Sequence, residues 1–189
     1  MRYTAVLDAC VLVPMPLCDT LLRLAEEPAV YRPVWSEQIL LEVGNALENN
    51  LHRSRFQRER RIHAMRGAFP EAEVSVPQGL LNGVTGIPDP NDWHVVAAAL
   101  LGAADAIITL NAKHFPSDAI EPYGLVCQTP DDFLVQQFRL APELVLEKLD
   151  IQGAAIGEGR LFIAQKLQKT VPFFAGLIEW RIAGLGEKA

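Results

Sequence analysis

Short apolar runs rich in β-branched residues alternate with segments of helical period, and this alternation constrains the fold more than any other feature of the chain. "TAVLDACVLV" fits a buried strand that ends near Asp8. "MPLCDTLLRLAEEPAV" places Leu17, Leu21, Leu22, Leu24 and Ala25 near helical spacing until Pro28 stops the run. "VYRPVWS" reads as extended. Ser36 reads as the N-cap of "EQILLEVGNALENNLH", whose Ile39, Leu40, Val43 and Leu47 share a face. An arginine-rich helix follows, interrupted near Gly67 and Pro70. "AEVSVP" is a short strand candidate, and "GLLNGVTGIPDPND" is loop-like at its end. "DWHVVAAALLGA" is a helix ended by Gly102, while "DAIITLN" and "LVCQTP" are further strands. Such an order specifies an α/β domain with a mainly parallel sheet. In sheets of that kind, sites form where the carboxyl ends of strands meet helix starts.

The pattern changes near Pro130. Residues 131–189 have helical periodicity and no clear strand: Pro142 suits the first turn of a helix running to about Leu149, "AAIGEGR" is a loop, and further helices cover about 161–169 and 172–184. The expected organisation is an α/β domain over 1–130 and a helical appendage over 131–189. The appendage carries a wide apolar stripe that needs a surface to bury against, either the α/β body or another chain.

With 189 residues, half of them apolar, the chain has enough material for one such domain plus the appendage. Cys10, Cys18 and Cys127 are odd in number and lack CxxC spacing, which argues against a disulfide framework or a structural zinc site. The chain enters an apolar strand at once, too short to span a bilayer and interrupted by Asp8. A soluble, cytoplasmic protein without membrane partners is expected. The formal charge of −6 lacks the basic footprint usual for a nucleic-acid binder. Its sign is uneven, however. "HRSRFQRERRIHAMR" holds Arg53, Arg55, Arg58, Arg60, Arg61 and Arg66 against Glu59 alone. This is either a solvated helix face or a surface that meets a polyanion or an acidic partner.

Four acids stand out. Asp8 ends an apolar strand, where a lone buried carboxylate is expensive. Glu42 borders the apolar face of its helix, where a solvated side chain is the ordinary expectation. Asp89 and Asp92 flank a helix start; capping by Asp89 or Asn91, with Asp92 complementing the dipole, would account for them in isolation. It would not account for Asp8. In a parallel sheet the end of the first strand and the start of the 92–102 helix share a rim, to which the "AIIT" strand also delivers Thr109 and Asn111. Several carboxylates so close repel one another unless a hard divalent cation sits between them. Oxygen-only ligands point to Mg²⁺, or Mn²⁺, and to hydrolysis of a phosphodiester by water.

"VLDACVLVP", "PVWSEQILLEVGNAL", "DPNDWHVVAAAL" and "IITLNAKHFP", in that order, resemble the PIN-domain family, and more narrowly the VapC-type toxins of bacterial toxin–antitoxin pairs. The resemblance covers about residues 3–130, and the tail opening with "TPDDFL" looks like the extension of one VapC-like subgroup. It implies a three-layer α/β/α fold with a helical C-terminal extension and Mg²⁺-dependent endoribonuclease activity on structured RNA. A small antitoxin as inhibitor and a homodimer are further implications. Carried over by position, the catalytic and metal-binding acids are Asp8, Glu42 and Asp92, with Asp89 accessory. Asn111 stands at a fourth position that is often Asp, and His114 stands where many relatives carry an acid. These departures favour one ion over two. Thr109 would position water, and Asn45, one turn after Glu42, would touch the same pocket.

The remaining candidates read more plainly. His94 is a packed or surface histidine, and His52 and His63 join the basic face. Trp35, Trp93 and Trp180 supply core or interface area, with base stacking as a second use for Trp93. Cys10 is a small buried residue rather than a nucleophile. A second functional class remains open beside the nuclease: a PIN-like RNA- or protein-binding module with a weakened site, favoured by Asn111 and His114.

Overall fold

A computed structural model describes residues 2–186 of the chain. The chain forms two compact units, one from Met1–Val13 and Tyr31–Gln128, the other from Pro14–Val30 and Thr129–Ala189.

In the first unit, β1 (Thr4–Leu7) turns at Asp8 into α1 (Ala9–Leu12). The chain leaves as α2 (Met15–Ala25), which belongs to the second unit, and returns as β2 (Arg32–Ser36), α3 (Glu37–Asn49) and α4 (Arg55–Ala68). Then come β3 (Glu73–Val74), α5 (Gln78–Leu81), a 3₁₀ turn at Pro90–Asp92 and α6 (Trp93–Leu101). β4 (Ala106–Ile108), a 3₁₀ turn at Ala112–His114, α7 (Ser117–Ile120) and β5 (Val126–Gln128) complete it. The sheet runs β3-β2-β1-β4-β5, and every neighbouring pair is parallel, with Val6 opposite both Val34 and Ile107. The expected α/β class with a parallel sheet is what the chain forms.

Strand order reverses between β1 and β4, so the carboxyl ends of those two strands flank the topological switch point, where open α/β sheets place their ligands. Val6, Leu7, Val11 and Leu12 are fully buried around Asp8. At about 1.5–3 kcal/mol for each such side chain, they fix the β1–α1 turn and offset the cost of a half-buried carboxylate there. Ser36 caps α3 as its position indicates, its Oγ accepting the Ile39 amide at 3.2 Å. α6 is buried from His94 to Ala99 and packs on β1, β2 and β4. Its end requires glycine, because a Cβ at Gly102 would lie 2.6 Å from Val34 Cγ1. That close approach seats α6 on the sheet and carries its first residues to the carboxyl rim.

The second unit is helical: α2 with α8 (Pro130–Leu140), α9 (Pro142–Ala154), α10 (Arg160–Leu167) and α11 (Pro172–Gly186). α9 runs five residues beyond the expected end at about Leu149. The apolar stripe of the appendage finds its surface in α2, whose buried Leu17, Leu21 and Leu24 belong to a helix that packs on α9 and α10. Polar contacts fix the register of these helices. Thr20 Oγ1 donates to Gln152 Oε1 at 2.8 Å, and Gln152 Nε2 donates to the Pro16 carbonyl at 3.1 Å. The buried Lys148 ammonium donates to the Glu26 carbonyl at 2.9 Å, a cation placed at the carbonyl end of α2 as the helix dipole favours. Asp131 accepts the Phe173 and Phe174 amides at 3.0 and 2.7 Å, capping α11 from α8. Among the described residues no helix is long and apolar enough to cross a membrane.

Candidate active site

Asp8 sits where β1 ends, in extended backbone as the N-cap residue of α1, and its side chain makes no cap bond. Its amide donates to Ile108 O at 3.1 Å, tying the turn to β4. Thr109, fully buried one residue past β4, donates its hydroxyl to Asp8 Oδ2 at 2.6 Å. The same oxygen accepts the Cys10 thiol at 3.1 Å, and Cys10 Sγ in turn accepts the Leu110 amide at 3.1 Å. Burial first, and then the Asp8 charge, push the Cys10 thiol up to about 12. A thiol so firmly protonated serves as a hydrogen-bond donor, in keeping with the sequence reading against a nucleophile.

The two acids at the start of α6 divide their roles. Asp89 takes the capping role, its Oδ1 accepting the Asn91 amide at 2.9 Å. Asp92 makes no cap bond; its Oδ2 instead lies 3.0 Å from His114 Nδ1. Burial raises the Asp92 carboxyl above its ordinary range, His114 opposes that shift, and the charges of Asp89 and Asp8 add to it. Asp8, Asp89 and Asp92 therefore share one electrostatic neighbourhood. Glu42, on α3, reaches His94 two residues after Asp92: Glu42 Oε1 lies 2.8 Å from His94 Nε2. Asn111 is exposed at the rim, and its amide donates to Thr109 Oγ1 at 3.0 Å. Asn45 is exposed on α3 and makes no side-chain bond among the described residues.

Asp8 and Asp92 each have one oxygen hydrogen-bonded to a side chain, and Glu42 Oε1 lies in ion-pair contact with the His94 ring. The other oxygen, Asp8 Oδ1, Glu42 Oε2 or Asp92 Oδ1, accepts no hydrogen bond among the described residues. In kind this donor set fits a hard divalent cation: oxygen ligands, each steadied by an outer partner, with like charges pressing on Asp92. In placement it does not form a closed cage, because among the described residues no group of three or more His, Cys, Asp and Glu side chains is arranged to hold a metal ion.

Sequence reasoning placed His94 as a packed or surface residue; the structure packs it, and adds a contact with Glu42 that the reading did not include. The available signal was a single polar side chain in the otherwise apolar run "WHVVAAALL". The arginines of α4 are largely engaged within the unit. Arg55 pairs with Glu59, Arg58 with Glu48 and Arg66 with Glu73, at 2.7, 2.6 and 2.6 Å. Arg61 donates to the Leu12 and Val13 carbonyls at the end of α1. Arg53 and Arg60 are exposed and make no side-chain bond among the described residues. The Trp93 indole donates to Ile87 O at 3.3 Å, which holds the loop before α6. A groove of about 520 Å³ lies elsewhere, lined by residues of α3, α4 and α5 including Leu40, Leu41, Ile62 and Arg66, and none of the acids discussed above lines it.

Comparison with known proteins agrees with this topology. A family model described as "PIN domain" matches residues 4–113, more than half of the chain. A segment of 52 residues is 50% identical to the protein named "Putative ribonuclease VapC50" of Mycobacterium tuberculosis (strain ATCC 25618 / H37Rv); it covers 28% of this chain and 31% of that protein. The matched segment therefore spans under a third of the relative's length. No solved structure matches. On the family match, with an all-parallel five-stranded sheet and acids at its switch point, the chain belongs to the PIN-domain family.

Proposed function

We propose that this chain is a divalent-metal-dependent endoribonuclease of the VapC type, acting on structured RNA as the toxin of a toxin–antitoxin pair in the cytoplasm. The observation that supports the proposal is Asp8 at the end of β1 and Asp92 at the start of α6, beside the β1–β4 switch point, with Glu42 in contact with His94 on the same helix. The partial identity to a protein named as a ribonuclease VapC supports the narrower assignment. Asp8, Glu42 and Asp92 would hold the metal, Mg²⁺ or Mn²⁺, with Asp89 adding negative charge and Asn111 standing where a fourth acid would bind a second ion. Bound there, such an ion neutralises phosphodiester charge and makes water a better nucleophile.

The chain's own groups supply orientation. Thr109 and Cys10 fix Asp8 by donating to Oδ2, which leaves Oδ1 directed by the rigid β1–α1 turn. His114 holds Asp92 off its helix N-terminus. Arg60 of α4 and Arg53 just before it are the cations available for phosphate contacts, which position RNA without reading its sequence. A small cognate antitoxin and a second copy of the chain are the protein partners of this reading.

A second reading has one observation in its favour: Glu42 and Asp92 are both engaged with imidazoles, and among the described residues no three-ligand group stands ready for an ion. It makes the chain a PIN-like binding module for RNA or protein. Expression in a bacterial host separates the two. The nuclease reading expects growth arrest and new RNA ends, both lost in Asp8→Asn. Arrest that persists in Asp8→Asn, or intact RNA with the wild-type chain, rejects it.

A further inference from the structure

We infer that His94 is a positioning residue for Glu42: from the buried face of α6 its imidazole meets one carboxylate oxygen at close range and so fixes which oxygen faces the acid rim. The inference rests on the nuclease reading above, in which Glu42 is a working carboxylate.

The observations are these. His94 lies within a run of α6 that is buried from His94 to Ala99, and its side chain is 3% exposed. Packing alone does not call for an imidazole there, since leucine would fill similar space with no polar atom to satisfy. Among the described residues the ring makes one polar contact, Nε2 to Glu42 Oε1 at 2.8 Å, and Nδ1 has no partner. With the proton on Nε2, an N–H lies toward the carboxylate and a bare acceptor is left at Nδ1. With the proton on Nδ1, a buried N–H would be unpaired and the Nε2 lone pair would face a carboxylate oxygen; both are unfavourable.

The consequence falls on Glu42. Its side chain is 40% exposed and has three rotatable bonds, so without a donor it would sample solvent-directed rotamers. The contact crosses from α3 to α6 and ends two residues after Asp92, so it holds the α3 acid near the start of α6 while Oε2 stays uncommitted. Carboxylates that serve as ligands or acids are commonly oriented by partners of this kind.

The test uses the purified full chain. Mapping of new 5′ ends in total RNA gives the wild-type cut site, and kcat and KM are then measured on a hairpin RNA carrying that site. His94→Leu removes the donor and keeps the volume. His94→Gln returns an amide N–H near the Nε2 position. The expected result for His94→Leu is a fall in kcat of about 10- to 100-fold with KM moved by less than about twofold, and His94→Gln recovers most of the loss. Long-range ¹⁵N NMR should show the Nε2–H tautomer, with its N–H signal lost in Glu42→Ala. If His94→Leu does not fold by thermal melting, His94→Asn, which is polar but too short to reach, takes its place. Full kcat in the donor-less variant, or an Nδ1–H tautomer, overturns the role of His94 and leaves the nuclease reading standing. A wild-type chain that produces no new ends overturns the nuclease reading, and this role with it.

Discussion

At the scale of single residues, the site is under electrostatic pressure that the fold sustains. Asp92 is raised above the ordinary carboxyl range, chiefly by burial, with Asp89 and Asp8 adding to it. The folded chain therefore binds that proton more tightly than the unfolded chain does. Stability falls as pH rises through the raised folded value, and the penalty is in force at neutral pH. Asp92→Asn in EDTA should raise Tm at pH 7, by about 2–4 °C if the relief is near 1 kcal/mol, and the gain should fade toward pH 4. A Tm unchanged or lowered at pH 7 contradicts this. The thiols report the same field. Cys127 is pushed up to about 11 by burial and then by the Asp8 charge. Iodoacetamide at pH 8 should modify it slowly, and Asp8→Asn should speed the reaction when followed by mass spectrometry; equal rates would remove Asp8 from its surroundings. Asp8, Glu42, Asp89 and Asp92 were legible as candidates because an acid at the end of an apolar strand or on the border of an apolar helix face has a cost that must be met. Thr109 was legible as a residue of the same rim, from strand order, but not as the donor to Asp8; His94 as the neighbour of Glu42 was not legible, since it meets Glu42 across two helices, a contact that no local period encodes.

At the scale of elements, period and caps carried most of the information. The Ser36 cap, the Gly102 stop and the apolar strands all follow from local chemistry, and the parallel sheet follows from their order. The arginine-rich helix shows where such reading stops. Six arginines in one segment suggest a polyanion surface, yet Arg55, Arg58 and Arg66 are ion-paired and Arg61 caps α1. Arg61→Ala should therefore act on stability. It leaves two helix-end carbonyls short of a charged donor and should cost about 1–3 kcal/mol in urea unfolding. A stability within error of wild type would show the contact to be idle. Arg53→Ala with Arg60→Ala should leave stability nearly unchanged and flatten the salt dependence of RNA affinity by a slope of about 1–2. An unchanged slope would remove Arg53 and Arg60 from RNA docking.

At the scale of the whole molecule, the chain is not divided at one point in its sequence. A helix inserted between β1 and β2 belongs with the four helices after Thr129. Sequence reading saw that the tail needed a surface and did not see that α2 provides it, because Leu17, Leu21 and Leu24 look equally suited to the sheet. A chain truncated after residue 130 should therefore expose the α2 face and aggregate. A soluble, monodisperse truncation with a cooperative melt would contradict that grouping. The account as a whole depends on Asp8, Glu42 and Asp92 acting as one cation-binding set at the switch point. Calorimetric titration of Mn²⁺ into the metal-stripped chain tests this most directly. The expected result is saturable binding to the wild type that weakens by about tenfold or more in each of Asp8→Asn, Glu42→Gln and Asp92→Asn. No binding at millimolar metal, or binding that all three variants retain, would contradict it.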